Sequence, residues 1–202
     1  MKNALLKLSL LTSSVWSPIS GGITTPDGFL AAGISAGLKS SGKKDLALIY
    51  APDGACCSGT FTQSVTRASC VDLCIDRIKA SEGKIRAVLI NSGHANACTG
   101  TRGKVDSEII THELAERLGL SNKEVLICST GVIGERIPVE RVNNHLDQLI
   151  KSLDKEAYLD AANAILTTDL KVKQIAYQAV LGGRRISIGG MAKGSGMIHP
   201  SM

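Results

Sequence analysis

The run Ile85-Arg86-Ala87-Val88-Leu89-Ile90 constrains the fold of this chain more than any other stretch. It is almost continuously apolar, which is the pattern of a strand covered on both faces rather than one with a wet side. It feeds directly into Asn91-Ser92-Gly93-His94-Ala95-Asn96-Ala97-Cys98-Thr99-Gly100, a loop of small and hydrogen-bonding residues. A loop at a strand end is a common place for ligand contacts, and a capped turn before the next helix is an equal reading. Val125-Leu126-Ile127-Cys128 repeats the arrangement, with Ser129-Thr130-Gly131 after its C-terminal end as a turn toward a helix. Asp45 to Tyr50 is a third compact strand, and Thr60-Phe61-Thr62 is β-prone.

Between these strands the apolar period is helical. Ala68, Val71, Cys74, Ile75 and Ile78 place a helix over 67–80, with Thr66 as its cap. Val105, Ile109, Ile110, Leu114 and Leu118 place a second over 102–118, stopped by Gly119 at the C′ position. Pro138 suits the first turn of a third helix over 138–153, and Asp154 would cap a fourth over 155–166. The period then shortens: Val172, Ile175, Tyr177 and Val180 form one strand, Gly182-Gly183 turns the chain, and Ile186 and Ile188 alternate on the return. Neither a repeat nor a linker interrupts this order. One mixed α/β domain over 21–202, preceded by an N-terminal extension over 1–20, is the economical organisation.

Composition excludes several classes. At 202 residues and 44% hydrophobic the chain can bury a core and is not of disordered composition. Aromatic residues make up 3%, which leaves no stacking platform for nucleobases, and the net charge of +5 is spread rather than clustered. Neither a nucleic-acid nor a membrane partner is expected. The six cysteines lack paired C-x-x-C spacing, so no metal site is expected, and most sit in apolar segments as small buried hydrophobes of a reducing cytoplasm. Met1 to Trp16 imitates a signal peptide, but Lys7 interrupts its apolar region, and leucines packing on the domain is the preferred reading. Gly33-Ile34-Ser35-Ala36-Gly37-Leu38-Lys39 is not a phosphate loop, because the glycine spacing is short and Leu38 intervenes before the lysine.

Gly189-Gly190-Met191-Ala192-Lys193-Gly194-Ser195-Gly196-Met197-Ile198-His199-Pro200-Ser201-Met202, taken with Cys128-Ser129-Thr130-Gly131-Val132-Ile133-Gly134, resembles the ornithine acetyltransferases, the arginine-biosynthetic family also called glutamate N-acetyltransferase. The resemblance runs from Gly21 to Met202. It implies an α-β-β-α sandwich of the self-processing threonine-nucleophile type, completed by a separate β chain. In such a family the precursor cleaves itself before a threonine, here at or one residue after Met202. The present chain then corresponds to the α chain of an α2β2 assembly, with the nucleophile opening the β chain. Where the family usually has Asn, this chain has His94, and where it often continues with Thr after Asp169, this chain has Leu170.

The roles implied by the resemblance are chemically coherent. A threonine at a new N-terminus carries an α-amine of pKa about 7.7–8.0, a usable base for its own hydroxyl. Thr130 and Gly131 would supply an oxyanion hole from a hydroxyl and a backbone N–H. Lys193, set among small residues, would meet a substrate carboxylate, and Thr167, in preference to Thr168, would add a substrate hydrogen bond. His94 is a weaker candidate for a base. The expected reaction is ping-pong transfer of acetyl from N2-acetylornithine to glutamate, with no cofactor and acetyl-CoA use left open. The rivals are a related self-processing amidohydrolase or aminopeptidase, which delivers the acyl group to water, and a non-catalytic small-anion binding module.

Overall fold

A computed structural model describes residues 15–194 and 201–202. The expectation for residues 1–14 lies outside this range. Two sheets organise the chain. The larger has the order β2-β3-β4-β5, from Leu30–Ile34, Leu46–Cys56, Lys84–His94 and Val125–Val132; the smaller has β1-β6-β7, from Ser17–Pro18, Lys173–Leu181 and Arg184–Ala192. In the larger sheet β2, β3 and β4 pair antiparallel, whereas β4 and β5 are parallel. A parallel pair needs a crossover. Here the connection carries helix α2, Gly100–Leu118, preceded in the chain by α1, Ser69–Ala80.

The register explains why Ile85 to Ile90 is apolar on both sides. Leu48, Leu89 and Ile127 align across β3, β4 and β5 on one face, as do Tyr50, Ala87 and Val125. This face packs with Ile110 and Leu114 of α2, Val142 of α3 (Val139–Asn143), and Leu146 and Leu149 of α4 (Leu146–Lys151) in the main core. Each such fully buried leucine contributes about 1.5–3 kcal/mol relative to exposure. On the opposite face Ala31 and Ala47 meet Ala161, Ala164 and Ile165 from α5 (Tyr158–Ala164) and its C-terminal cap, with Ile90 and Met191 alongside. Small residues make the close approach possible: a Cβ on Gly33 would lie 2.1 Å from the carbonyl oxygen of Asp160. Gly33 thus serves packing in β2, and Lys39 donates to the carbonyl of Leu166 at 3.0 Å.

Edge strand β5 is closed by α1 through a ladder of side chains. The Cys74 thiol donates to the carbonyl of Ile127 at 3.2 Å, and Arg77 Nη1 donates to the carbonyl of Val125 at 2.6 Å. Positions spaced by one helical turn therefore meet carbonyl acceptors spaced by two strand residues. The ladder blocks further pairing at the sheet edge. Burial holds the Arg77 guanidinium below its usual range and pushes the Cys70 thiol up.

Several sequence expectations change. The first helix starts at Ser69 with Ala68 at its N-cap and no side-chain cap, so Thr66 does not cap it. Asp154 does not cap the last helix either. That helix begins at Tyr158, while Asp154 exchanges backbone hydrogen bonds with Ala31 and accepts from Glu156 N at 2.7 Å. The helix expected over 138–153 divides into α3 and α4, because His145 Nδ1 lies 2.7 Å from the Arg141 carbonyl while His145 N turns to Val142. A side chain has entered the helical ladder at that point. Thr60-Phe61-Thr62 forms no strand. Among the cysteines, Cys70 and Cys74 are buried but Cys56, Cys98 and Cys128 are exposed, so most are not core residues. Gly119 is left-handed at φ 64° and ends α2 as expected, and the Gly182-Gly183 turn joins β6 to β7.

Candidate functional site

The site grows from the parallel pair. Ser129-Thr130-Gly131 is not the expected turn: β5 continues through it to Val132, because β4 also continues to His94 and keeps pairing. Gly131 is required at the crossing point. Its φ is +138°, and a Cβ there would lie 2.2 Å from the carbonyl carbon of Gly93. No L side chain fits that approach.

The loop after β4 braces this strand end. Asn96, buried at φ +51°, donates from Nδ2 to the Gly103 carbonyl at 3.0 Å and to Ser107 Oγ at 2.6 Å, and Thr99 Oγ1 donates to Asn96 Oδ1 at 2.8 Å. These bonds fix the start of α2. Ala95 N donates to the Val132 carbonyl and Gly134 N to the Ala97 carbonyl, each at 2.9 Å. Beyond it, buried Asp106 accepts from Arg136 Nε at 2.8 Å and from Nη2 at 2.5 Å, which raises the guanidinium pKa. The segment from Thr130 to Arg136 is held at both ends. Asn91 Oδ1 accepts from Ser129 Oγ at 2.7 Å, and Asn91 Nδ2 donates to the His94 carbonyl.

His94 does not sit at the centre of this arrangement. Its Nε2 is 3.9 Å from Glu135 Oε2, and its Nδ1 is buried without a partner among the described residues. The ring is placed beside Glu135.

Lys193 arrives from the other sheet. Strand β7 ends at Ala192, and the next residue extends Nζ to donate to Thr130 Oγ1 at 2.8 Å. A cation donating to the hydroxyl oxygen leaves the hydroxyl proton free to be donated elsewhere, and polarises it. The structure therefore brings together two of the candidate residues, Thr130 and Lys193, with Gly131 next in the strand.

Thr167 lies on the connection between α5 and β6, half-buried, while Thr168 is exposed. That connection is tied to the end of β4 by Ser92 Oγ, which donates to the Ala164 carbonyl at 2.6 Å, and by the Lys39 bond to Leu166. It is tied to the Lys193 segment by Asp169, whose Oδ1 accepts from Gly194 N at 2.7 Å and from Lys173 Nζ at 2.5 Å. The carboxylate exposes no surface. Lys173, then the Gly194 N–H, hold its pKa down at about 2. Asp169 and Lys173 were not singled out from the sequence; the i,i+4 spacing of an acid and a lysine after Thr167 was the only signal. Among the described residues no cluster of His, Cys, Asp and Glu could hold a metal ion, and no helix is long and apolar enough to cross a membrane.

Known proteins share both the sequence and this architecture. A profile of the ArgJ family matches residues 30–202. The arginine biosynthesis bifunctional protein ArgJ of Prochlorococcus marinus strain NATL2A is 90% identical over all of this chain, which covers 48% of that protein. The chain spans about half the length of the curated relatives it matches. The crystal structure of the Bacillus halodurans ArgJ protein superposes with a TM-score of 0.86 at 37% identity, over 92% of this chain and 97% of that one. A Mycobacterium tuberculosis ornithine acetyltransferase solved with ornithine gives a TM-score of 0.84 at 37% identity, over 92% and 98%. With the profile covering most of its length and such relatives on every comparison, this chain belongs to the ArgJ family.

Proposed function

We propose that this chain is the α portion of an acetyltransferase of arginine biosynthesis, moving acetyl from N2-acetylornithine to glutamate through an acetyl-threonine on a β chain released from the same precursor. The observation that carries the reading is the 2.8 Å bond from Lys193 Nζ to Thr130 Oγ1, which joins the end of β5 to the segment after β7 at one point. In this reading the Thr130 hydroxyl, polarised by Lys193, donates with the Gly131 N–H to the oxyanion of each half-reaction. Such preorganised donors act where charge develops and need no reorganisation during the step. Lys193 also offers the charge that a substrate carboxylate requires, and Thr167 contributes a hydrogen bond from the adjoining connection. Pairing each half-reaction with the same donors accounts for a ping-pong cycle. No cofactor enters any step.

The partner reading has independent support. Ile175, Val180 and Ile188 of the β6–β7 hairpin are 56%, 68% and 46% exposed, and Val132 and Ile133 beside the site are 52% and 59% exposed. Apolar surface of this kind marks a face that another segment covers. The two solved relatives are covered almost completely by this chain, whereas the curated ones are covered by about half, as expected if the family's precursor is divided into two chains. On this reading the β chain completes the second sheet of an α-β-β-α sandwich, in an α2β2 assembly of the cytoplasm.

The test is expression of the complete gene, followed by intact-mass analysis, N-terminal sequencing, and an assay with acetyl-labelled N2-acetylornithine. A second chain opening with threonine, and label appearing in N-acetylglutamate when glutamate is supplied, is the expected result. Label released only as acetate would establish a hydrolase instead. Acetyl-CoA supplied in place of acetylornithine decides whether it is a second donor.

A further inference from the structure

Lys193 is the first residue beyond the last strand, and nothing in the sheet ladder fixes it. A lysine has many rotamers and here no ladder partner, so the cost of ordering it falls on whatever holds the next residue. That residue is Gly194, and both of its backbone groups are held. Its N–H donates to Asp169 Oδ1 at 2.7 Å, and its carbonyl accepts from Lys173 Nζ at 2.6 Å. The two side chains pair with each other at 2.5 Å. An anion on the donor and a cation on the acceptor of one peptide residue form a closed three-membered arrangement of charge-assisted bonds, stronger than neutral ones.

The two halves of the clamp are themselves placed by the fold. Lys173 pairs in register with Ala192 at the start of β6, so it lies opposite the residue that precedes Lys193. Asp169 is on the connection carrying Thr167, and the Thr167 N–H adds a smaller favourable contribution to its carboxylate. Gly194 adopts φ +134°, a conformation that leaves its N–H and carbonyl turned to these partners and that a side chain would resist.

We propose that the Asp169 and Lys173 pair positions the catalytic contact: by holding Gly194 at its N–H and its carbonyl, it sets where Lys193 Nζ meets Thr130 Oγ1. This rests on the reading of Lys193 and Thr130 given above. It makes Asp169 and Lys173 positioning residues that act through Lys193 without touching substrate. It also couples the Thr167 connection to Lys193, so that the two proposed substrate contacts move together.

The experiment uses the protein from the complete gene, with Asp169→Asn, Lys173→Met and Lys173→Arg, each alone and combined with Lys193→Met. Hydrogen exchange of the segment containing Gly194, followed by mass spectrometry, reads the clamp without reference to activity. Exchange should accelerate in Asp169→Asn and Lys173→Met, and unchanged exchange in both overturns the proposal. Misplacing a reacting group by about 1 Å can cost about 100-fold. Asp169→Asn should therefore lower kcat by up to about 100-fold with a smaller change in KM, Lys173→Arg should recover most of what Lys173→Met loses, and the Asp169→Asn factor should shrink to about twofold once Lys193 is already Met. An equal loss in both backgrounds would show general damage to the fold and would overturn the proposal. If Asp169→Asn does not fold, Lys173→Met carries the same comparisons. Absence of acetyl transfer in the unaltered protein would remove the acetyltransferase reading, while the exchange of Gly194 would still decide the clamp.

Discussion

Lys193 and Thr130, separated by 63 positions in the chain, meet at 2.8 Å through Nζ and Oγ1. The contact joins the end of the parallel edge strand β5 to the end of a hairpin in the other sheet, so neither residue can be placed by its own element alone. Removing one preorganised oxyanion donor costs about 2.7–4 kcal/mol, or about 10²–10³ in kcat. Thr130→Ala in the self-processed protein should fall in that range, measured as steady-state acetyl transfer. Unchanged turnover would remove Thr130 from the chemistry.

Gly131 and Gly119 separate two costs of adding a methyl group. Both have positive φ, but a Cβ at Gly131 collides with the Gly93 backbone, while one at Gly119 meets no atom within 4 Å. Gly119→Ala should lose about 1–2 kcal/mol for left-handed backbone alone. Gly131→Ala should lose more and also depress turnover, because the strand end carrying Thr130 must shift. Denaturant midpoints of the two variants beside their kcat values make the comparison.

The α1 ladder predicts a stability effect away from the site. Arg77→Met keeps much of the packing but leaves the buried Val125 carbonyl without its donor. An unsatisfied buried group costs about 1–3 kcal/mol. Chemical denaturation should show a loss of that order with turnover per folded molecule nearly unchanged.

Acid should release the clamp in a defined direction. The Asp169 carboxyl is held at about 2, below the unpaired value of about 3.9, so its contribution is complete above pH ~4 and is lost as pH falls toward ~2. Asp169→Asn cannot respond to this proton. The stability difference between the unaltered protein and Asp169→Asn should therefore be constant above pH ~4 and close between pH ~4 and ~2, as followed by denaturation at each pH.

The chain itself determines much of this protein. Its apolar periods locate β4, β5, α1, α2 and the β6–β7 hairpin, because a strand or helix needs only its own side-chain spacing to declare a buried face. The glycine after Ser129-Thr130 likewise fits the close backbone approach found at Gly131. Tertiary structure decided the remainder. The sequence presents Cys74 and Arg77 only as one face of a helix; docking beside β5 turned them into donors for a sheet edge. Ser129-Thr130-Gly131 looks like a turn, and pairing with β4 extended it as strand. Asp169 and Lys173 acquire meaning only when β6 and β7 zip in register and bring Gly194 between them. Local propensity acts over one turn or one strand pair, whereas these contacts are set by long-range register. That is why elements were legible in the sequence and the hydrogen bonds that assemble the site were not.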